Sequence, residues 1–405
     1  MISSYILTFI FNFILLLNLA SSQDDVYVEI LEDKTLISQK YKNYCVIYNF
    51  WNGTMNIDEV NDPRISLVLH STVNYIPYLE NHINTWEGPI SIAIVVPPPI
   101  DSFCENCTTY YSEKNLIIFK ILHLFSKFND ISKISLHLFY INNKKNCPKI
   151  DKPSFDMSNQ SKDEIDTLIK DAKNMDKYFD VYPINVARNL ARKGMKTRLF
   201  LSSDVEQICN NGYESRMRKL AKKEIIDKKR NIVLVHRRFE MDENETIPKN
   251  KKELKALYDK KKAIVFHELI YKDGHSIPRL NEWFNIKEDF NQTTISQVLP
   301  YLRPGWEPQF VGGENVPFHD ENFPYRIRSN THLPHILCYR DFKFGIVNDL
   351  FTIHKGIQKE FKKHKSITKE VIRRAYFYGQ KFNSKLRKKY PKNAKKCKPL
   401  VVFKG

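Results

Sequence analysis

The chain has 405 residues, 42% of them hydrophobic and 13% aromatic, with a formal net charge of +18. That apolar content excludes wholesale disorder, and the length allows one large domain or two modest ones. The charge is uneven, since residues 359–405 carry 17 Lys/Arg against 2 acids, a local balance of +15. A solvated basic helix accounts for such a tail; contact with an anionic polysaccharide or membrane is the sharper reading. No nucleic-acid recognition motif is present, so nucleic acid is not expected as a partner.

At the N-terminus, Tyr5 to Ala20 is an apolar stretch followed by the small residues Ala20-Ser-Ser22. Residues 1–22 therefore read as a signal peptide cleaved after Ser22, with an uncleaved type II anchor as the alternative. The stretch is short for a membrane span and lacks a basic flank. Sequons at Asn52, Asn106, Asn159, Asn244 and Asn291 fit the same secretory route. The cysteines are Cys45, Cys104, Cys107, Cys147, Cys209, Cys338 and Cys397. An odd number leaves at least one unpaired within the chain, and disulfides are favoured over zinc because no second Cys/His pair has ligand spacing.

Residues 23–63 read as a stem without clear period. From Arg64 strands and helices alternate. Strands are expected at 65–70, 90–96, 134–140, 197–201 and 231–235, and helices at 75–86, 116–128, 184–192 and 216–228. That alternation argues an α/β fold with a mostly parallel, Rossmann-like sheet flanked by helices. Residues 140–180 read as a surface excursion and 250–355 as aromatic-rich loops. The globular domain is expected over 64–357, and 358–405 as a basic helical tail with a helix over 358–390.

The strand at 197–201 runs into Ser203-Asp-Val-Glu206. Ligands of α/β sheets gather at the carboxyl ends of strands, where two acids can hold a divalent cation. Asn185, Arg188 and Asn189 stand at i, i+3 and i+4 and share one helical face.

Several segments, in order, resemble glycosyltransferase family 49, which includes the β-1,4-glucuronyltransferases. These are Trp86-Glu-Gly-Pro-Ile-Ser-Ile-Ala93, Tyr182-Pro-Ile-Asn-Val-Ala-Arg-Asn189, Ser203-Asp-Val-Glu206, Trp306-Glu-Pro-Gln-Phe310, Val316-Pro-Phe-His-Asp-Glu-Asn-Phe323 and Phe351-Thr-Ile-His354. The resemblance implies a nucleotide-diphospho-sugar transferase (GT-A) fold and inverting transfer of a sugar, with glucuronic acid the expected one, from a UDP-sugar to a glycan hydroxyl in the Golgi lumen or the wider secretory pathway. It implies Mn²⁺ or Mg²⁺ on Asp204, Glu206 and His354, and donor contacts from Asn185, Arg188, Asn189 and Lys355. It also implies Asp320 or Glu321 as the carboxylate that takes the acceptor proton. Three departures stand out. Glu206 replaces an Asp, Pro324-Tyr-Arg-Ile-Arg-Ser329 replaces a Gly-Tyr-Gly-x-Asn-Lys turn, and His354-Lys-Gly-Ile357 replaces His-x-Pro-His. They leave open a catalytically silent glycan- or polyanion-binding protein on the same fold.

Overall fold

The computed structural model describes residues 36–100, 108–125, 128–151, 153, 161–173, 181–360 and 366–402. The expected signal peptide, Cys104, Cys107, Asn106 and Asn159 lie outside them. In chain order the elements are β1 (Gln39–Tyr41), β2 (Tyr44–Trp51), β3 (Ile65–Thr72), α1 (Leu79–Thr85), β4 (Ile90–Val95), β5 (Thr108–Thr109), α2 (Glu113–Phe125), β6 (Ile134–Ile141), β7 (Lys149–Ile150) and α3 (Lys162–Ala172). There follow α4 (Ile184–Gly194), β8 (Leu199–Ser202), β9 (Ile208–Cys209), α5 (Tyr213–Ala221), β10 (Ile232–Met241), α6 (Lys251–Asp259), β11 (Ala263–Val265), α7 (Glu268–His275), α8 (Leu280–Asn285), β12 (Ile295–Leu299), β13 (Phe310–Gly312), α9 (His332–Tyr339), β14 (Lys343–Lys355) and α10 (Lys369–Lys389).

Among the described residues 12 strands form one sheet in the order β1-β2-β6-β4-β3-β8-β13-β10-β14-β12, with β11 beside β10 and β9 beside β14. The strands β6, β4, β3 and β8 are parallel, as the alternation leads one to expect. The expectation of a mostly parallel sheet needs correcting beyond them. β13 is antiparallel to both β8 and β10, and β12 is antiparallel to β14. Both strands are entered from loops, without the crossover that parallel pairing requires. The sheet is therefore mixed.

Its two faces bury separate cores. On β3, Ile65, Leu67 and Leu69 join α1, α2 and α5 on one face, while Val68 meets Val186, Ala187 and Leu190 of α4 on the other. The period of two along a strand makes that division. Trp86-Glu-Gly-Pro89 is the turn that feeds β4. Trp86 is buried and its indole N–H donates to the Pro89 carbonyl at 3.1 Å. A Cβ on Gly88 would lie 2.6 Å from the Ile65 carbonyl oxygen, so only glycine fits.

Two expectations about the chain ends change. Residues 39–51, read as stem, form β1 and β2, and β2 pairs antiparallel with β6 at the sheet edge. A disulfide from Cys45 to Cys147 fastens that edge. At the other end the long helix starts at Lys369, not 358, and is docked on the domain. Ala375, Phe382 and Leu386 pack with Phe323, Tyr339, Leu400 and Val402. Asn383 exchanges hydrogen bonds of 2.8 and 2.9 Å with the Leu400 backbone, and Cys338–Cys397 ties the last segment down. Lys381, Lys385, Lys388 and Lys392 face solvent on and just beyond this helix. Among the described residues Cys209 is the free cysteine, and it is buried.

Candidate active site

β8 ends at Ser202, and the chain turns at once. The Ser203 N–H donates to the Val68 carbonyl at 3.0 Å, and the Gln207 N–H closes the turn on the Asp204 carbonyl at 3.0 Å. β9 then pairs antiparallel with the end of β14, matching Ile208 to Ile353. That pairing carries Glu206 to His354, with Glu206 Oε1 4.0 Å from His354 Nε2. Residues 148 positions apart in the chain (354 − 206) thus meet at one end of the sheet.

Asp204 is surrounded by cationic and imidazole groups. Arg188 Nη2 donates to Oδ1 at 3.2 Å, His70 Nε2 lies 3.5 Å from the same oxygen, and Arg238 Nη2 lies 3.5 Å from Oδ2. Burial pushes the Asp204 carboxyl upward, but His70, Arg188 and Arg238 outweigh it and hold it well below the usual range. Glu206 moves the opposite way, raised by burial and by the Asp204 charge.

His354 is kept neutral, because burial lowers its pKa more than the hydrogen bond to Gly356 raises it. Its Nδ1 lies 3.2 Å from the Gly356 carbonyl. An N–H at Nδ1 leaves the Nε2 lone pair directed at Glu206, the tautomer a metal ligand uses. Two carboxylates and one such imidazole suit a hard divalent ion in chemistry. Among the described residues, however, no group of three His, Cys, Asp or Glu side chains is drawn together closely enough to form a cage.

The polar face of α4 is real, and most of it grips a loop. The Asn185 amide donates to the Phe323 carbonyl at 2.9 Å and the Asp320 carbonyl at 3.3 Å. The Asn189 amide donates to the His319 carbonyl and accepts from its N–H, both at 2.9 Å, and donates to Glu321 Oε1 at 2.6 Å. Arg192 adds 2.6 and 2.8 Å bonds to the carbonyls of Val316 and Pro317. Of the residues expected to contact the donor, Asn185 and Asn189 thus spend their amides holding residues 316–323. Arg188 reaches Asp204 and the Ser329 carbonyl. Lys355 is exposed at the end of β14.

The two carboxylates expected to take the proton are both engaged. Glu321 accepts from Tyr41 and Asn189 on Oε1 and pairs with Lys42 on Oε2, and its side chain is 9% exposed. Asp320 accepts from Asn322 on Oδ1 and from the Tyr378 hydroxyl of α10 on Oδ2. The altered turn after Phe323 keeps an unusual backbone. Arg326 has φ +63° and Arg328 φ +56°. Arg326 thus holds a left-handed conformation where the resemblance led one to expect glycine, at roughly 1–2 kcal/mol.

Sequence reasoning missed His70, Arg238 and Glu307. Arg238 is buried on β10 with its guanidinium 4.1 Å from the centre of the Phe266 ring. Two adjacent arginines following the apolar run Ile232–Val235 were the available sign, because a buried charge requires a partner. His70 ends the apolar run of β3, and its Nδ1 lies 2.9 Å from the Tyr182 hydroxyl.

Comparison with known proteins gives the family. The family model Glyco_transf_49, described as glycosyl-transferase for dystroglycan, matches residues 64–391. The beta-1,4-glucuronyltransferase 1 of Mus musculus is 24% identical over 353 residues, covering 83% of this chain and 78% of that protein. The Homo sapiens and Danio rerio proteins of the same name are 25% and 27% identical, covering 78% and 77% of their lengths. A crystal structure of GalNAc-T7 with UDP, GalNAc and Mn²⁺ covers 84% of this chain and 56% of that chain at 11% identity, with a TM-score of 0.41, too loose a likeness to bear on the site. The family match spans most of the chain: the protein belongs to glycosyltransferase family 49 and is a glycosyltransferase.

Proposed function

We propose that this transferase moves a sugar from UDP to a glycan hydroxyl with inversion at the anomeric carbon. Glucuronic acid is the first donor to test, because the relatives are named for it. The family description makes a dystroglycan-type glycan the first acceptor to test. The observation that carries the reading is the approach of Glu206 to His354 beside an ionised Asp204 at the end of β8. Asp204, Glu206 and His354 would hold a Mn²⁺ or Mg²⁺ ion, which supplies positive charge against the leaving diphosphate. Arg188 and Arg238 fix the Asp204 carboxylate and keep it ionised, and Gly356 fixes the His354 tautomer.

A secretory location is supported by two disulfides and by exposed sequon asparagines at 52, 244 and 291. Among the described residues no helix is long and apolar enough to cross a membrane.

The test is incubation of the full chain with a panel of UDP-sugars, a β-linked glycan acceptor and Mn²⁺. Transfer from one donor, abolished by chelation and restored by metal, supports the reading. Absence of transfer and of UDP binding with or without metal supports a silent member instead. The lysines displayed by α10 favour a further contact with an anionic polysaccharide. Changing Lys381, Lys385, Lys388 and Lys392 together to Gln should lower the salt needed to elute the protein from heparin. Unchanged elution would sink that contact.

A further inference from the structure

A general base needs a carboxylate oxygen free to face the acceptor hydroxyl, and an oxygen already held by a protein donor must share that position. Glu321 and Asp320 have both oxygens occupied by protein donors. One other carboxylate in the field of Asp204 is built differently. Glu307 stands between the buried Trp306 and Pro308, and its N–H donates to the Gly274 carbonyl at 2.7 Å. The backbone is therefore fixed at the end of α7. Its side chain is 18% exposed, so it borders solvent without being surrounded by it. Oε2 accepts from the Asn330 amide at 3.1 Å and lies 4.0 Å from His275 Nε2. Among the described residues Oε1 receives no hydrogen bond.

Glu307 adjoins the site already described: the His275 ring beside it meets the Phe266 ring at 4.9 Å, and Phe266 lies under Arg238 and 5.8 Å from the His354 ring. Burial raises the carboxyl and the Asp204 charge adds to it; together they outweigh the Asn330 hydrogen bond, Arg238 and Arg188, which favour the charged form. Tyr271 and Tyr301 feel its charge from the neighbouring segments. His275 is held well below its ordinary pKa by burial and by Arg238, so it is neutral and leaves Glu307 without a counter-ion there. A carboxylate shifted toward neutral pH is a stronger proton acceptor than a free one.

We propose that Glu307, in place of Asp320 or Glu321, is the general base of the transfer. This rests on the donor reading above. As the acceptor oxygen bonds to the anomeric carbon, its proton passes to Glu307 Oε1. The bond from that carbon to the phosphate oxygen breaks, and its electron pair leaves with UDP. Asn330 holds the carboxyl group in place through Oε2.

The experiment compares full-length wild type, Glu307→Gln, Glu307→Asp and Asp320→Asn, with UDP affinity in Mn²⁺ measured by calorimetry beside kcat over pH 5–9. Glu307→Gln should bind UDP within twofold of wild type, which also shows that it folds. Its kcat should fall by roughly 10²–10⁴, and the loss of activity on the acid side of the wild-type profile should vanish. Glu307→Asp should keep a weakened acid limb, and Asp320→Asn should keep that limb whole. A Glu307→Gln enzyme that retains kcat within tenfold, or retains the acid limb, overturns the assignment and leaves the donor reading intact. A wild-type chain that binds no UDP overturns both.

Discussion

Replacing Asp204 with asparagine should lower transfer by on the order of 10³-fold while the sheet stays folded. The carboxylate is the most strongly ionised group at the end of β8, with Arg188, His70 and Arg238 around it. Asparagine keeps the shape and one acceptor oxygen but removes the charge. Two arginines, at 5% and 7% exposure, then lose their shared counter-ion. Breaking a fully buried pair costs about 3–5 kcal/mol, but Asp204 is 35% exposed, so the stability loss should be well below that range. The pH dependence has a fixed sign. The folded pKa lies below the unfolded value of about 4, so the carboxylate's contribution is whole above about pH 4 and drains as pH falls further. Kinetics, together with thermal unfolding of wild type and variant from pH 7 to pH 3, check both parts. A variant with wild-type kcat would remove Asp204 from the chemistry.

The chain should also lose stability steadily as pH falls below about 6.5, the value at which histidines of the unfolded chain take up protons. His82, His137, His332 and His335 are buried, and burial is the largest influence holding each at about 4; His236 is held at about 3. In the unfolded chain a histidine titrates near 6.5. Depressed histidines stabilise the fold fully above about pH 6.5. Below it the unfolded chain takes up protons that the folded chain refuses. Each pKa unit is worth about 1.4 kcal/mol, against a total stability of roughly 5–15 kcal/mol, so two or three such residues suffice to unfold the protein. Melting temperature should therefore be flat from pH 8 to 7 and fall steeply from about pH 6.5 toward 4. His335 is the sharpest single case, since neither ring nitrogen has a hydrogen-bond partner and the ring lies among Tyr301, Tyr339 and Phe382. His335→Phe should shift the acid midpoint downward. A melting temperature unchanged to pH 5 would contradict the neutral, buried state of these side chains.

The strands the sequence reveals best are the fully buried ones. Ile65–Thr72, Ile90–Val95 and Ile134–Ile141 are apolar runs with breakers beside them, and burial on both sheet faces is what such runs require. β14 escaped for the opposite reason. It carries Asn348 and Asp349, and Asp349 adopts φ +65° inside the strand. There it pairs with Lys251 at 2.6 Å, both side chains buried, a tertiary contact with no local sequence sign. β10 reads as ending at Val235 because His236-Arg-Arg238 follows. It continues to Met241, because Arg237 bonds the carbonyls of Ile277 and Pro278 and Arg238 meets Asp204. At the site, the place of the two acids just after a strand end was legible from the apolar run before them. His354 needed the β9–β14 pairing to reach Glu206, and the grip of α4 on residues 316–323 needed the loop's folded path.

The central claim is that Asp204, Glu206 and His354 hold one divalent ion against the diphosphate of a UDP-sugar. A crystal structure of the full chain grown with UDP and Mn²⁺ tests it most directly. The account predicts a single ion ligated by both carboxylates, by His354 Nε2 and by diphosphate oxygens, at the end of β8. UDP bound elsewhere, or an ion that leaves Asp204 paired only with its arginines, would contradict it.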